Sequence, residues 1–196
     1  MAADVKFAIK DSTTGGGANG TTGYTTLAST LRFKNADNNT GLATDDPMVR
    51  PTSGTVYSFW KNLRVRVVTN PDTALLALKF KISAAPTITG GAQAIDLAYS
   101  FIRAEDYVAN SSASTVPQKI GVNPTSDVNW TDNRLASNGT GGTAVANHLT
   151  ANHANGSFWG GDLGSDMLFL CMEVGSGTTL GGSIQSFNLI LSYNEI

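Results

Sequence analysis

His148 and His153 stand five residues apart in Asn147-His148-Leu149-Thr150-Ala151-Asn152-His153 and are the 2 histidines of the chain. A zinc centre needs about four ligands, one of them a water in catalytic versions. The nearest acids downstream are Asp162 and Asp166, with no cysteine or glutamate between, so the spacing matches no zinc signature. The pair reads as two loop histidines. Asp127, Asn129, Asp132 and Asn133 form an oxygen-rich run of the kind that wraps calcium. An EF-hand loop requires Gly at its sixth position and Glu at its twelfth, whereas counting from Asp127 those positions hold Asp132 and Asn138. Paired carboxylates serve glycoside hydrolysis, but Asp45-Asp46 and Glu105-Asp106 are adjacent, and neighbours on a strand point to opposite faces. Gly175-Ser176-Gly177 is followed by Thr178, Thr179 and Leu180, with neither a lysine nor a helix to hold a phosphate. No Gly-x-Ser-x-Gly elbow occurs. These residues compose no catalytic set, no cofactor site and no metal site, and the expected protein is not an enzyme.

What remains is cysteine and aromatic chemistry. The single cysteine, Cys171, lies in the apolar run Met167-Leu168-Phe169-Leu170-Cys171-Met172. Such a cysteine behaves as a small buried hydrophobe, and it has no partner in the chain for a disulfide. Trp130, Phe158 and Trp159 fall in polar, glycine-rich stretches away from the strong strand patterns. Large aromatics so placed anchor an interface, stack on a sugar ring, or plug the open end of a sandwich. Val5, Phe7 and Ile9 alternate with Lys6, Ala8 and Lys10, giving a strand whose edge can add to a neighbour's sheet. The candidate interface residues are therefore Val5, Phe7, Ile9, Trp130, Phe158 and Trp159.

The elements that must position these residues are strands. Charged residues make up 14% of the chain, well below the usual quarter, and Thr, Ser, Asn and Gly fill the gap. That composition suits short strands and long polar loops and disfavours helices. The 13 basic and 15 acidic residues give a net charge of −2, which lacks the basic footprint of a nucleic-acid binder. No apolar run approaches the length of a membrane span, and Met1-Ala2-Ala3-Asp4-Val5 has the features of no signal peptide. Neither nucleic acid nor membrane is expected as a partner.

The strongest strand patterns flank Thr69-Asn70-Pro71-Asp72-Thr73. Before it, Leu63, Val65 and Val67 alternate with Asn62, Arg64 and Arg66. After it, Leu76, Leu78, Phe80 and Ile82 alternate with Ala77, Lys79 and Lys81. Period-two alternation gives each arm one apolar and one charged face, and the turn chemistry between them predicts a long hairpin over 55–83. Its outward face would carry Lys61, Arg64, Arg66, Lys79 and Lys81 into solvent or against an acidic partner. Further strands are expected over 95–103 and 167–174, and over 184–193 with a bulge near Ser186. A short one is expected near Val128-Asn129-Trp130. An extended arm and flexible loop are expected over 1–23. Six to eight strands separated by long excursions predict a single all-β domain over 1–196, an antiparallel β-sandwich of jelly-roll type.

The Ala2–Lys10 arm, the Thr/Gly/Asn-rich loops and the closing strand from Phe187 to Ile196 resemble jelly-roll decoration (cement) proteins of tailed-bacteriophage heads. That resemblance implies a virion structural protein whose partners are the major capsid protein and copies of itself, with a trimer favoured. A carbohydrate- or receptor-binding module of a fibre or tail, using Trp130, Phe158 and Trp159 as a platform, is the alternative. An uncharacterised hydrolase is a third.

Overall fold

The computed structural model describes residues 3–10, 24–26, 31–35, 47–69, 72–88, 94–102, 119–130, 148–150, 158–159, 167–179 and 184–196. Among them the chain is all β, with antiparallel strands and no helix. The strands are β1 (Asp4–Lys10), β2 (Tyr24–Thr26), β3 (Thr55–Tyr57), β4 (Lys61–Thr69), β5 (Ala74–Ile82), β6 (Ile95–Ile102), β7 (Gly121–Val122), β8 (Val128–Asn129), β9 (His148–Thr150), β10 (Phe158–Trp159), β11 (Met167–Gly175) and β12 (Leu189–Glu195).

They form two sheets. The first has 8 strands in the order β2-β1-β4-β11-β6-β7, with β10 beside β4 and β3 beside β11. The second has 4 strands in the order β12-β5-β8, with β9 also on β5. One apolar cluster joins Val5, Phe7, Leu63, Val65, Leu97 and Leu170 of the first sheet to Leu75, Leu78, Phe80 and Ile82 of the second. Phe80 meets Tyr99 and Phe101 edge-on at ring-centroid distances of 5.4 and 5.8 Å. Trp130 completes the row, 5.7 Å from Phe101 and 6.3 Å from Phe7. The architecture is β-sandwich-like, and these rings weld its layers.

The expected hairpin over 55–83 is corrected. β4 pairs with β1, β11 and β10, and β5 pairs with β12, β8 and β9, so the two arms lie in opposite sheets. Both arms have an apolar face, and here the chain crosses over so that those faces meet across the core. Alternation says which side of a strand is buried; it does not say which strand lies beside it.

The charged outward face is corrected for Lys61 and Arg64 of the first arm, while Arg66, Lys79 and Lys81 keep partial exposure. Arg64 is fully buried, and Lys61 and Asn62 are 2% exposed. β4 is an interior strand of the larger sheet, and that sheet is buried on its second face as well, where Ala8, Ala98, Ser100, Phe169 and Cys171 lie with Asn62 and Arg64. The small residues Ala8, Ser100 and Ala98 sit directly across from Arg64, Phe169 and Cys171 respectively, which leaves room for the large ones. Trp60, 6.2 Å from Phe169, belongs to the same layer.

One local irregularity moves a predicted core residue. Ala77 has a φ of 53°, and the β5–β12 register slips by one residue beside it. This is a β-bulge with its extra residue in the left-handed region. It shifts the phase of β5, so Leu75 is buried and Leu76 is exposed, the reverse of the strict alternation. Downstream, β8 falls on Val128–Asn129, where a short strand is expected. Gly121 in β7 is required by contact: a Cβ there would stand 2.7 Å from the Tyr99 ring.

Candidate functional site

A wide groove of about 700 Å³, with apolar walls and a polar rim, lies along β12. Its walls come from both sheets. Val5 and Phe7 of β1 and Leu170 and Met172 of β11 face Phe187, Leu189 and Leu191, while Leu31 and Phe33 close one side. The alternation of the closing segment explains its share: Phe187, Leu189, Leu191 and Tyr193 share a face and pack, half-buried, against the core. Lys6, Gln185, Ser186 and Asn188 bring polarity to the lining. The groove's walls offer apolar contact area, and among the described residues it brings no nucleophile or acid–base pair together.

Among the described residues, the strand above the groove pairs on one side only. Ser83 N donates to Asn188 O at 2.9 Å, which directs the Asn188 backbone toward the strand before it. Backbone polar groups alternate along a strand, so those of Leu189 and Leu191 face away from β5. Further back, Gln185 N donates to Thr87 O. Three steps from Gln185 to Asn188 therefore stand against four from Thr87 to Ser83. The irregularity expected near Ser186 is present, with its extra residue on the opposite segment. At the far end of β12, Ala3 N donates to Glu195 Oε1 at 2.9 Å and Tyr193 OH donates to Ala3 O at 3.3 Å. These contacts tie the second sheet to the start of the first. Burial, with the nearby Glu195 and Asp4 carboxylates, raises the Tyr193 pKa above its usual value.

The six candidate interface residues divide. Val5, Phe7 and Ile9 are 9%, 9% and 3% exposed and lie in the core. Their strand is no free arm, since β1 runs between β2 and β4 inside the larger sheet. Trp130 is fully buried and acts as the inter-sheet plug, which withdraws it from any glycan platform. Phe158 and Trp159 form β10, paired with Arg66 and Val65; their side chains lie outside the described residues. His148 is in β9, opposite Leu76, while His153, Asp132, Asn133, Asp45-Asp46 and Glu105-Asp106 lie outside the description. Asp127 forms an ion pair with Lys81 at 3.0 Å, and among the described residues no cluster of three or more His, Cys, Asp or Glu side chains forms.

Cys171 is chemically quiet. Burial pushes its thiol up to about 12, against the lowering effect of its contact with Ser58. The thiol donates to Ser58 O at 3.2 Å, while Ser58 Oγ accepts from Met172 N at 2.9 Å. Thiolates are the reactive form, so this cysteine is a packing residue.

A residue with no part in the sequence reading, Asn123, pins the opposite edge. It has a φ of 45°, in the left-handed region that Asn tolerates. Its amide donates to Leu97 O at 2.8 Å and its Oδ1 accepts from Leu97 N at 2.9 Å, while Nδ2 donates to Asp96. The next residue, Pro124, accepts from Ile82 N of the other sheet at 2.8 Å. The signal available was the Asn123-Pro124 dipeptide, a turn initiator.

No family model, curated protein or solved structure matches this chain. The class the fold defines is an all-β, sandwich-like protein in which, among the described residues, β12 pairs on one side only.

Proposed function

We propose that this is a non-enzymatic structural protein of a virion, a decoration protein that binds and stabilises a capsid through protein–protein contacts and self-associates. The fold we assign to it is a jelly roll, in keeping with the way successive strands change sheets, from β4 to β5 to β6 and from β7 to β8. The observation that carries the reading is that, among the described residues, β12 pairs on one side only, beside a groove with apolar walls. A long strand edge with no charge before its terminal Glu195 is a liability in a free monomer and an asset in a protein that works by association. The low charge and hydroxyl-rich surface suit a molecule lying against neighbours.

The test is cosedimentation of the purified protein with capsids through a density cushion, together with the temperature at which the shells rupture. The expected result is saturable binding at a fixed number of copies per shell and a higher rupture temperature. Protein that stays at the top of the gradient at every capsid concentration overturns this function.

A further inference from the structure

The edges of the two sheets are not alike. β2, β7, β8 and β9 are each 2 or 3 residues long, and shortness is a recognised protection against edge-to-edge pairing. β12 has 7 residues. From Ile184 to Asn194 it and its lead-in contain no charged residue and no proline, two of the usual guards of a long edge. Its one acid, Glu195, is engaged by Ala3 N.

We infer that β12 is a self-association edge: two copies of this chain pair antiparallel through Leu189 and Leu191, about a two-fold axis at Ile190. The strand is complementary to itself in that register. Leu189 stands opposite Leu191 of the other copy, and both present their backbone groups to the edge, giving about four hydrogen bonds. Their side chains lie on the groove side, so each copy extends the apolar lining of the other. On the outer face Asn188 meets Ser192, polar on polar, and Ile190 meets itself. A register one residue further on, centred on Leu191, sets Glu195 against Phe187 and is disfavoured. The second sheet then runs unbroken through the pair. The inference does not depend on the virion setting, and it replaces the trimer implied by resemblance with a two-fold unit.

The test is the mass in solution of the full chain, by light scattering or sedimentation equilibrium at micromolar to 100 µM-order concentrations, for the wild type and Ile190→Lys. The wild type is expected at two copies of the 20.5 kDa chain. Ile190→Lys puts like charges directly opposite and is expected to run as a monomer. Because Ile190 is outside the core cluster, the variant should keep its melting temperature to within a few degrees. A second variant fixes the register. Ile190 lies in the non-hydrogen-bonded position, where facing Cα atoms approach to about 4.5 Å, within disulfide range. Ile190→Cys is therefore expected to give a covalent dimer on mild oxidation, with buried Cys171 silent. A monomeric wild type overturns the inference. So does an oligomer of any size that survives Ile190→Lys, or an Ile190→Cys variant that fails to cross-link. If Ile190→Lys fails to fold, the cross-link decides.

Discussion

The two sheets use similar strands in different ways. The larger one is buried on both faces around β4 and β11, and it takes Arg64, Asn62 and Cys171 inside. The smaller one buries a single face, keeps Lys79 and Lys81 at partial exposure, and ends, among the described residues, at β12. β4 and β5 have nearly interchangeable patterns of apolar and basic residues. Position decides the difference: β4 is the third strand of a broad sheet, whereas β5 is the middle of a narrow one. An alternating strand states a preference for one buried face, and its neighbours determine whether the other face is buried too.

Cutting the contact between the sheets should have the largest effect. Phe80→Ala removes the ring that touches both Tyr99 and Phe101, and large-to-small changes of this type cost about 3–5 kcal/mol. Urea unfolding should show the loss as a lower midpoint. Asn123→Ala is expected to cost about 2–3 kcal/mol, because it removes side-chain bonds to Leu97 and Asp96 and leaves alanine in the left-handed region. Asn123→Gly should recover part of that loss, since it restores the backbone freedom and not the bonds.

Alkaline titration sharpens the comparison from the larger sheet's side. The Cys171 pKa is raised in the folded state to about 12 from an ordinary value of 9.0. Its contribution to stability is complete below pH 9 and is lost as pH rises toward 12, with a slope of at most about 1.4 kcal/mol per pH unit. Tyr99, raised by burial, acts in the same direction above pH 10. Denaturant melts at pH 8 and pH 11 should therefore converge for Cys171→Ala relative to the wild type. The smallest effect is expected at the bulge of the smaller sheet. Ala77→Gly should stabilise by about 0.5 kcal/mol, the relief of left-handed strain outweighing glycine's extra freedom when unfolded. Ala77→Val should lower the melting temperature.

Much of this fold is legible in the residues. The alternation of Ile95 to Phe101, the apolar run from Met167 and the face shared by Phe187, Leu189, Leu191 and Tyr193 all mark strands that form. The pairing of β4 and β5 was not legible, because Asn70-Pro71-Asp72 has the chemistry of a turn whether the chain returns in the same sheet or crosses to the other. The inward turn of Leu75 was hidden because the bulge falls on alanine, where glycine or asparagine would have announced it. Arg64 reads as a surface residue because its burial depends on what covers the sheet, and nothing local encodes that. Of the candidate site, the apolar wall on the closing strand was visible in the alternation. The groove itself was not, since it is a gap between β1, β11 and β12, which are distant in sequence.

Asn123 and Pro124 couple the sheets on one side, as the spine of a book joins its covers. The β12 side is the fore-edge, where, among the described residues, Ala3 meets Glu195 and Tyr193 at one corner and Phe187, Leu189 and Leu191 pack against the core. The groove therefore lies on the side of the molecule away from that coupling. Amide hydrogen exchange is expected to be slow at Ile82 and Asn123, whose amides donate across the spine, and to become slow at Leu189 and Leu191 as two copies pair through β12.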